Sequence, residues 1–132
     1  VGQRMIQSLN EYLATIKSMR VLVCGGRDYA NEDELNACLD VLKAKWGNIL
    51  IIHGGAPGAD RLAGLWAMKN ETTQIIYRAD WAKHGKAAGP IRNQQMIDEG
   101  RPDLFVAFPG GKGTADMVKR LRAAGISGTI LK

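Results

Sequence analysis

The 132-residue sequence is poor in cysteine: Cys24 and Cys38 are its only two. They lie 14 residues apart with no Cys-x-x-Cys. A disulfide framework is thereby excluded, and both read as reduced core thiols in a reducing compartment. Long apolar runs are absent too. No stretch of the chain approaches the roughly 20 residues that span a bilayer, so no membrane partner is expected. Nor does a basic stretch lead into an apolar one with a small-residue cleavage site, so the expected location is the cytoplasm. There is no His-Glu-x-x-His and no Cys/His ligand spacing, so neither a metal nor another cofactor is expected. No Gly-x-Ser-x-Gly elbow is present, which argues against a hydrolase triad. The two common nucleotide loops are missing as well. Lys112 precedes Gly113, which breaks the P-loop spacing, and no Gly-x-Gly-x-x-Gly occurs.

What the chain does have is glycine, 16 residues, many in pairs. The rest is ordinary: 45% hydrophobic and 23% charged, the mix of one globular domain. Eighteen Lys and Arg against thirteen Asp and Glu leave a net charge of +5. That excess favours anionic ligands without specifying nucleic acid. The densest basic stretch, Lys119-Arg120-x-Arg122, reads as the solvated face of a late helix.

Residues 1–18 stand apart. Met5, Ile6, Leu9, Tyr12, Leu13 and Ile16 recur at helical spacing, which predicts an amphipathic N-terminal helix or extension. Its stripe either packs on the domain or pairs with a second subunit in a homo-oligomer. From residue 19 a regular beat begins. Val21–Cys24, Ile49–Ile52, Gln74–Tyr77, Leu104–Phe108 and Gly128–Leu131 read as strands. Helical patterns fall between them: Leu35 to Leu42, Ala59 to Trp66, Pro90 to about residue 99, and Met117 to Ala124, closed by Gly125. Continuous apolar strands separated by helices are buried on both faces. The expectation is a Rossmann-like, doubly wound α/β fold over 19–132: a mostly parallel five-stranded sheet with helices on both faces.

In such sheets ligands sit outside the carboxyl ends of the strands. The unusual residues fall there. Gly25, Gly26, Arg27 and Asp28 follow the first strand. His53, Gly54, Gly55, Gly58 and Asp60 follow the second. Trp81, His84, Arg92 and Asn93 follow the third, and Gly110, Gly111, Lys112, Gly113 and Thr114 follow the fourth. Glycine turns entering helices bring backbone N–H groups and a helix dipole to an anion, so these loops are read as a phosphate site. Arg27 and Arg92 suit a bidentate phosphate clamp. Trp81 offers a face for a base. Thr114 serves as a helix cap or a phosphate contact. Asp60 is either a first-turn acid complementing its helix or a ribose acceptor and general base. His53, at a strand end, reads as a packing residue.

Four motifs in order carry a resemblance. They are Gly25-Gly26-Arg27-Asp28-Tyr29, then His53-Gly54-Gly55-Ala56-Pro57-Gly58-Ala59-Asp60, then Trp81-x-x-His84-Gly85-Lys86-x-Ala88-Gly89-Pro90-x-Arg92-Asn93, then Phe108-Pro109-Gly110-Gly111-x-Gly113-Thr114. Over about residues 19–132 the chain resembles the YspA-type branch of the SLOG superfamily, kin to the LOG-type phosphoribohydrolases and to DprA/Smf proteins. The resemblance implies a Rossmann-like domain that binds a nucleotide or nucleotide-derived ligand. LOG-type relatives cleave nucleoside monophosphates to base and ribose 5-phosphate. Of their signature, Pro109 to Thr114 matches, but Met117 stands at the glutamate position. Arg92 and Met96 match the upstream arginine stretch, with Asn93 in place of its lysine. Methionine cannot stabilise an oxocarbenium ion. An N-glycosidase here would therefore rely on Arg92 with Asp60 or Asp116. The readings in order are a nucleotide-binding sensor or processing domain, a LOG-like N-glycosidase, and a DprA-like nucleic-acid module.

Overall fold

The computed structural model describes residues 2–132, with side chains at all of them except 10, 11 and 13–17. The elements are helix α1 (Gly2–Lys17), β1 (Met19–Cys24), α2 (Glu32–Trp46), β2 (Ile49–His53), α3 (Ala59–Lys69), β3 (Gln74–Ile76), α4 (Trp81–His84), α5 (Ala88–Asp98), β4 (Leu104–Ala107), α6 (Lys112–Ala123) and β5 (Gly128–Ile130), with one 3-10 turn at Gly85–Ala87.

All strand pairs are parallel, in the order β3-β2-β1-β4-β5. β1 is the spine. Met19 to Leu22 pair with Ile49 to Ile52, and Val21 to Cys24 pair with Leu104 to Ala107. Alternate side chains go to opposite faces. Val21 and Val23 join Leu35, Leu39, Ala63 and Trp66 beneath α2 and α3. Leu22 and Cys24 join Met96, Ile97, Met117 and Leu121 beneath α5 and α6. Burial on both faces explains why β1, β2 and β4 read as apolar runs. The chain runs outward from β1 through β2 to β3, then returns to place β4 on β1's other side. That reversal between β1 and β4 is the switch point where such sheets open a crevice.

Local sequence explains the element ends. The Asn31 side chain accepts the Glu34 N–H at 3.1 Å and caps α2, whose first turn holds Glu32, Asp33 and Glu34. Between α2 and α3, Trp66 Nε1 donates to Asp40 Oδ1 at 2.9 Å.

Three details differ from the sequence expectation. The polar loop after β3 contains a short helix, α4, capped by the Asp80 side chain through the Lys83 N–H. α5 starts at Ala88 rather than Pro90, so Pro90 lies inside the first turn and Arg92 one turn in. A first-turn proline sacrifices no helical hydrogen bond. α1 forms as expected, but Met5, Ile6, Leu9 and Tyr12 are exposed rather than packed on the sheet. α2, α3, α5 and α6 already cover both faces of the sheet. Leu13 and Ile16, also read into that stripe, lie outside the described side chains.

Two substitutions test the loop packing. Gly47 and Gly58 both have positive φ, 78° and 82°. A Cβ at Gly47 meets open space, whereas one at Gly58 collides with the Gly26 carbonyl oxygen. Gly47→Ala should cost about 1 kcal/mol. Gly58→Ala should cost a further ~2 kcal/mol from overpacking. Urea unfolding measures both; equal losses would show that the loop yields freely. A chain starting at Met19 should still unfold cooperatively, since every strand lies beyond α1. Circular dichroism without a transition would place α1 in the core.

Candidate functional site

Three loops leave the carboxyl ends of β1, β2 and β4, and the backbone of one residue joins them. The Gly26 N–H donates to the Pro109 carbonyl at 2.9 Å. The Gly26 carbonyl accepts the Ala59 and Tyr29 N–H groups, both at 3.2 Å. Gly26 has no room for a side chain: a Cβ would stand 2.9 Å from Pro109 O and 3.0 Å from Gly110 Cα. The loops enclose one wall of a cleft of about 570 Å³, and α4 and α5 supply the other. That is an ordinary size for a small-molecule site.

The two glycine turns that enter helices differ in kind. In the β2–α3 turn the N–H groups of Gly54, Gly55 and Ala56 are already taken. Asp60 Oδ2 accepts the N–H groups of Gly54 at 3.1 Å and Ala56 at 3.2 Å. His53 Nδ1 accepts the Gly55 N–H at 3.0 Å. With Nδ1 an acceptor, the ring proton is on Nε2, which donates to Gln74 Oε1 at 2.8 Å. His53 thus holds the turn to β3. Gly58 is the contact surface for the Gly26 carbonyl. In the turn before α6, among the described residues, none of the N–H groups from Gly110 to Thr114 donates to a protein acceptor. Gly111 caps α6 without a side-chain bond, and Thr114 stands inside the first turn rather than at the cap.

Charge gathers around the open turn. Arg27, Arg92 and Lys112 line the cleft. Among the described residues none of the three forms a salt bridge. Arg92 Nη1 donates to the carbonyls of Gly54 at 2.8 Å and Tyr77 at 3.4 Å, and Nε to Asn93 Oδ1 at 3.1 Å. Burial lowers the Arg92 pKa and the nearby Arg27 adds to that, against the opposing pull of Asp60. Arg27 stacks its guanidinium 5.9 Å from the centre of the Trp81 ring, which is 50% exposed at the mouth.

Three carboxyls were candidates. Asp60 lines the cleft at 7% exposure. Burial pushes its pKa above the ordinary 3.8, opposed by its two N–H donors, His53 and Arg92. Asp116 also lines the cleft but is engaged elsewhere. It accepts Asn93 Nδ2 at 3.0 Å and Arg120 Nε at 2.8 Å. Burial alone would raise its pKa; the bonds from Arg120 and Asn93 and the charges of Arg120 and Lys119 hold it lower. Asp28 is exposed and does not line the cleft. Neither do Gly54, Gly55, Gly58 or Gly110, which shape the walls from behind. Gly25, Gly26, Trp81, Asn93, Gly111, Gly113 and Thr114 do line it.

The floor is a feature that the search for polar residues passed over. Cys24, Met96 and Met117 form it, and Met117 is 1% exposed. Burial, with the Asp60 charge second, pushes the Cys24 thiol up to about 12, so it stays protonated. The strand-end position of Cys24 and the helical spacing of the two methionines were the available signals. Among the described residues no cluster of His, Cys, Asp and Glu could hold a metal ion, and no helix is long and apolar enough to cross a membrane.

The two carboxyls have opposite effects on stability. A folded pKa above 3.8 means that Asp60 favours the folded state below that pH and loses the contribution as pH rises through its folded value. Asp60→Asn should therefore gain in stability relative to wild type as pH rises across that window. The Asp116 contribution is present above pH 3.8 and is lost as pH falls through its depressed value. Urea midpoints at a series of pH values give both signs. A flat difference for Asp60→Asn would mean that its carboxyl titrates normally.

The chain was compared with known proteins. The YspA, cpYpsA-related SLOG family matches residues 19–84, half the chain, from β1 through α4. The Gene 61 protein of Mycobacterium phage D29 is 38% identical over 115 residues, covering 81% of this chain and 91% of the phage protein. The matched residues include the Gly26 junction, the Asp60 turn and Trp81. By the family match the chain belongs to the YspA, cpYpsA-related SLOG family, a membership that points to a nucleotide-related ligand-binding or processing domain.

Proposed function

We propose that the cleft binds a nucleotide or nucleotide-derived phosphorylated ligand, with its phosphate on the Gly110–Thr114 turn. One observation carries the reading: N–H groups at the start of α6 that are unpaired among the described residues, beside three cations that form no salt bridge among them. Backbone donors, a helix dipole and guanidinium groups together are the usual receptor for a phosphate. Arg92 and Lys112 supply charge there, and the exposed Trp81 ring supplies a stacking face for a base.

The family's enzymatic relatives make N-glycosidase action the alternative, and the carboxyls weigh against it. Met117 stands on the apolar floor where the glutamate would be. Asp116 is committed to Asn93 and Arg120, which leaves only Asp60, tied to two backbone donors. The binding reading therefore leads.

A crystal soaked with a nucleoside monophosphate should show phosphate density at Gly110–Thr114. Density elsewhere, with this turn empty, overturns the assignment. Arg92→Ala should weaken that binding by about 1.5–3 kcal/mol, the size of a charge-assisted hydrogen bond. Calorimetry measures it; an unchanged affinity returns Arg92 to a structural role. Wild-type protein incubated with nucleoside monophosphates should release no free base. Rapid release would establish the glycosidase and point to Asp60.

A further inference from the structure

The β2–α3 turn has the form of an anion receptor that the chain fills itself. The Gly54 and Ala56 N–H groups converge on a single oxygen, Asp60 Oδ2. Convergent backbone donors of this kind make a nest that otherwise takes phosphate or a carboxylate. Asp60 is 7% exposed and lines the same cleft as the open turn before α6. Arg92 Nη1 is bonded to the Gly54 carbonyl, at the rim of the filled nest. The cleft therefore contains two anion receptors, one open and one already occupied by a carboxylate.

We infer that Asp60 is a built-in anion that limits the cleft to a single phosphate group. The inference rests on the phosphate site proposed above. The charge complement of the walls agrees. Arg27, Arg92 and Lys112 line the cleft with Asp60, while Asp116 is spent on Arg120. Two net positive charges remain, which match a phosphomonoester dianion. A second phosphoryl group that extends toward β2 finds its donors taken and meets a carboxylate. One that extends toward the mouth meets Arg27 and the Trp81 ring rather than a second glycine turn entering a helix. Removing the Asp60 charge should therefore change which ligands bind, rather than weaken every ligand alike.

Amide NMR titration with inorganic phosphate and with pyrophosphate tests this without knowledge of the base. It is run at constant ionic strength, above the second ionisation of phosphate near pH 6. In wild type both anions should shift the Gly110–Thr114 amides with affinities within about threefold of each other, leaving the Gly54 and Ala56 amides in place. Asp60→Asn keeps an acceptor oxygen but no charge; its preference for pyrophosphate should rise by about tenfold or more. Asp60→Ala empties the nest, and the Gly54 and Ala56 amides should join those that shift with pyrophosphate. Wild type that already binds pyrophosphate about tenfold tighter than phosphate overturns the inference, whether or not either variant folds. So does a folded variant with the wild-type ratio. If neither anion moves the Gly110–Thr114 amides of wild type, the phosphate site itself falls, which is a different failure.

Discussion

The cleft depends on the backbone of Gly26. Its N–H holds the β4 loop and its carbonyl holds the first N–H of α3, so one residue ties three loops through the two peptide groups that flank its Cα. A side chain at Gly26 would drive out Pro109, and one at Gly58 would strike the Gly26 carbonyl. The two glycines therefore make possible a backbone approach that no other residue allows. With the loops held this way, the start of α6 opens onto the crevice between β1 and β4. The start of α3 is closed off by the same contact. The crevice lies where the strand order reverses, so the sheet topology and the loop junction select the same place.

Much of this was legible before any coordinate. The apolar runs of β1, β2 and β4 were legible because a strand covered on both faces needs no polar alternation, whereas β3 and β5, at the edges of the sheet, are partly or fully exposed and were read from their place in the beat. The rim residues were legible for a related reason: glycine pairs after a strand mark a turn that has traded side chains for close backbone contact. The α4 helix was not legible, since four residues give no periodicity and its cap, Asp80, looked like any loop acid. Proline at the first helical position is a common pattern, but Ala88 and Gly89 extend α5 before it. The exposure of the α1 stripe was equally hidden. Periodicity shows that a helix has an apolar face but not what that face meets.

The hardest thing to read was which turn is free. The sequences His53-Gly54-Gly55-Ala56 and Pro109-Gly110-Gly111-Lys112 look equally suited to phosphate. They differ only in where one carboxyl points. Asp60 enters α3 as its second residue and turns back onto Gly54 and Ala56. Asp116 enters α6 as its fifth and turns aside to Arg120 and Asn93, away from the N–H groups of its own turn. Asp60 lies in the first turn of its helix, where an acid complements the dipole, and Asp116 lies just beyond the first turn of its own. Only the three-dimensional path shows that one acid fills its nest and the other leaves its nest open.

The apolar floor gives that arrangement its chemical meaning. Cys24, Met96 and Met117 keep the base of the cleft free of charge, with the thiol held in its protonated form. An anion above such a floor is less screened than one in water, so the charges of Arg27, Arg92 and Lys112 act on it more strongly. The same floor is hostile to an unpaired carboxylate, which would be desolvated at the position of Met117. Where the LOG-type relatives place an acid, this chain has a side chain that can pack but cannot support a developing cation. Asp60 bears part of that penalty, since burial raises its pKa, but two N–H groups and a nearby guanidinium offset it in place. On the proposed reading, attraction for a phosphate and the lack of a free carboxylate beneath it thus arise from one feature.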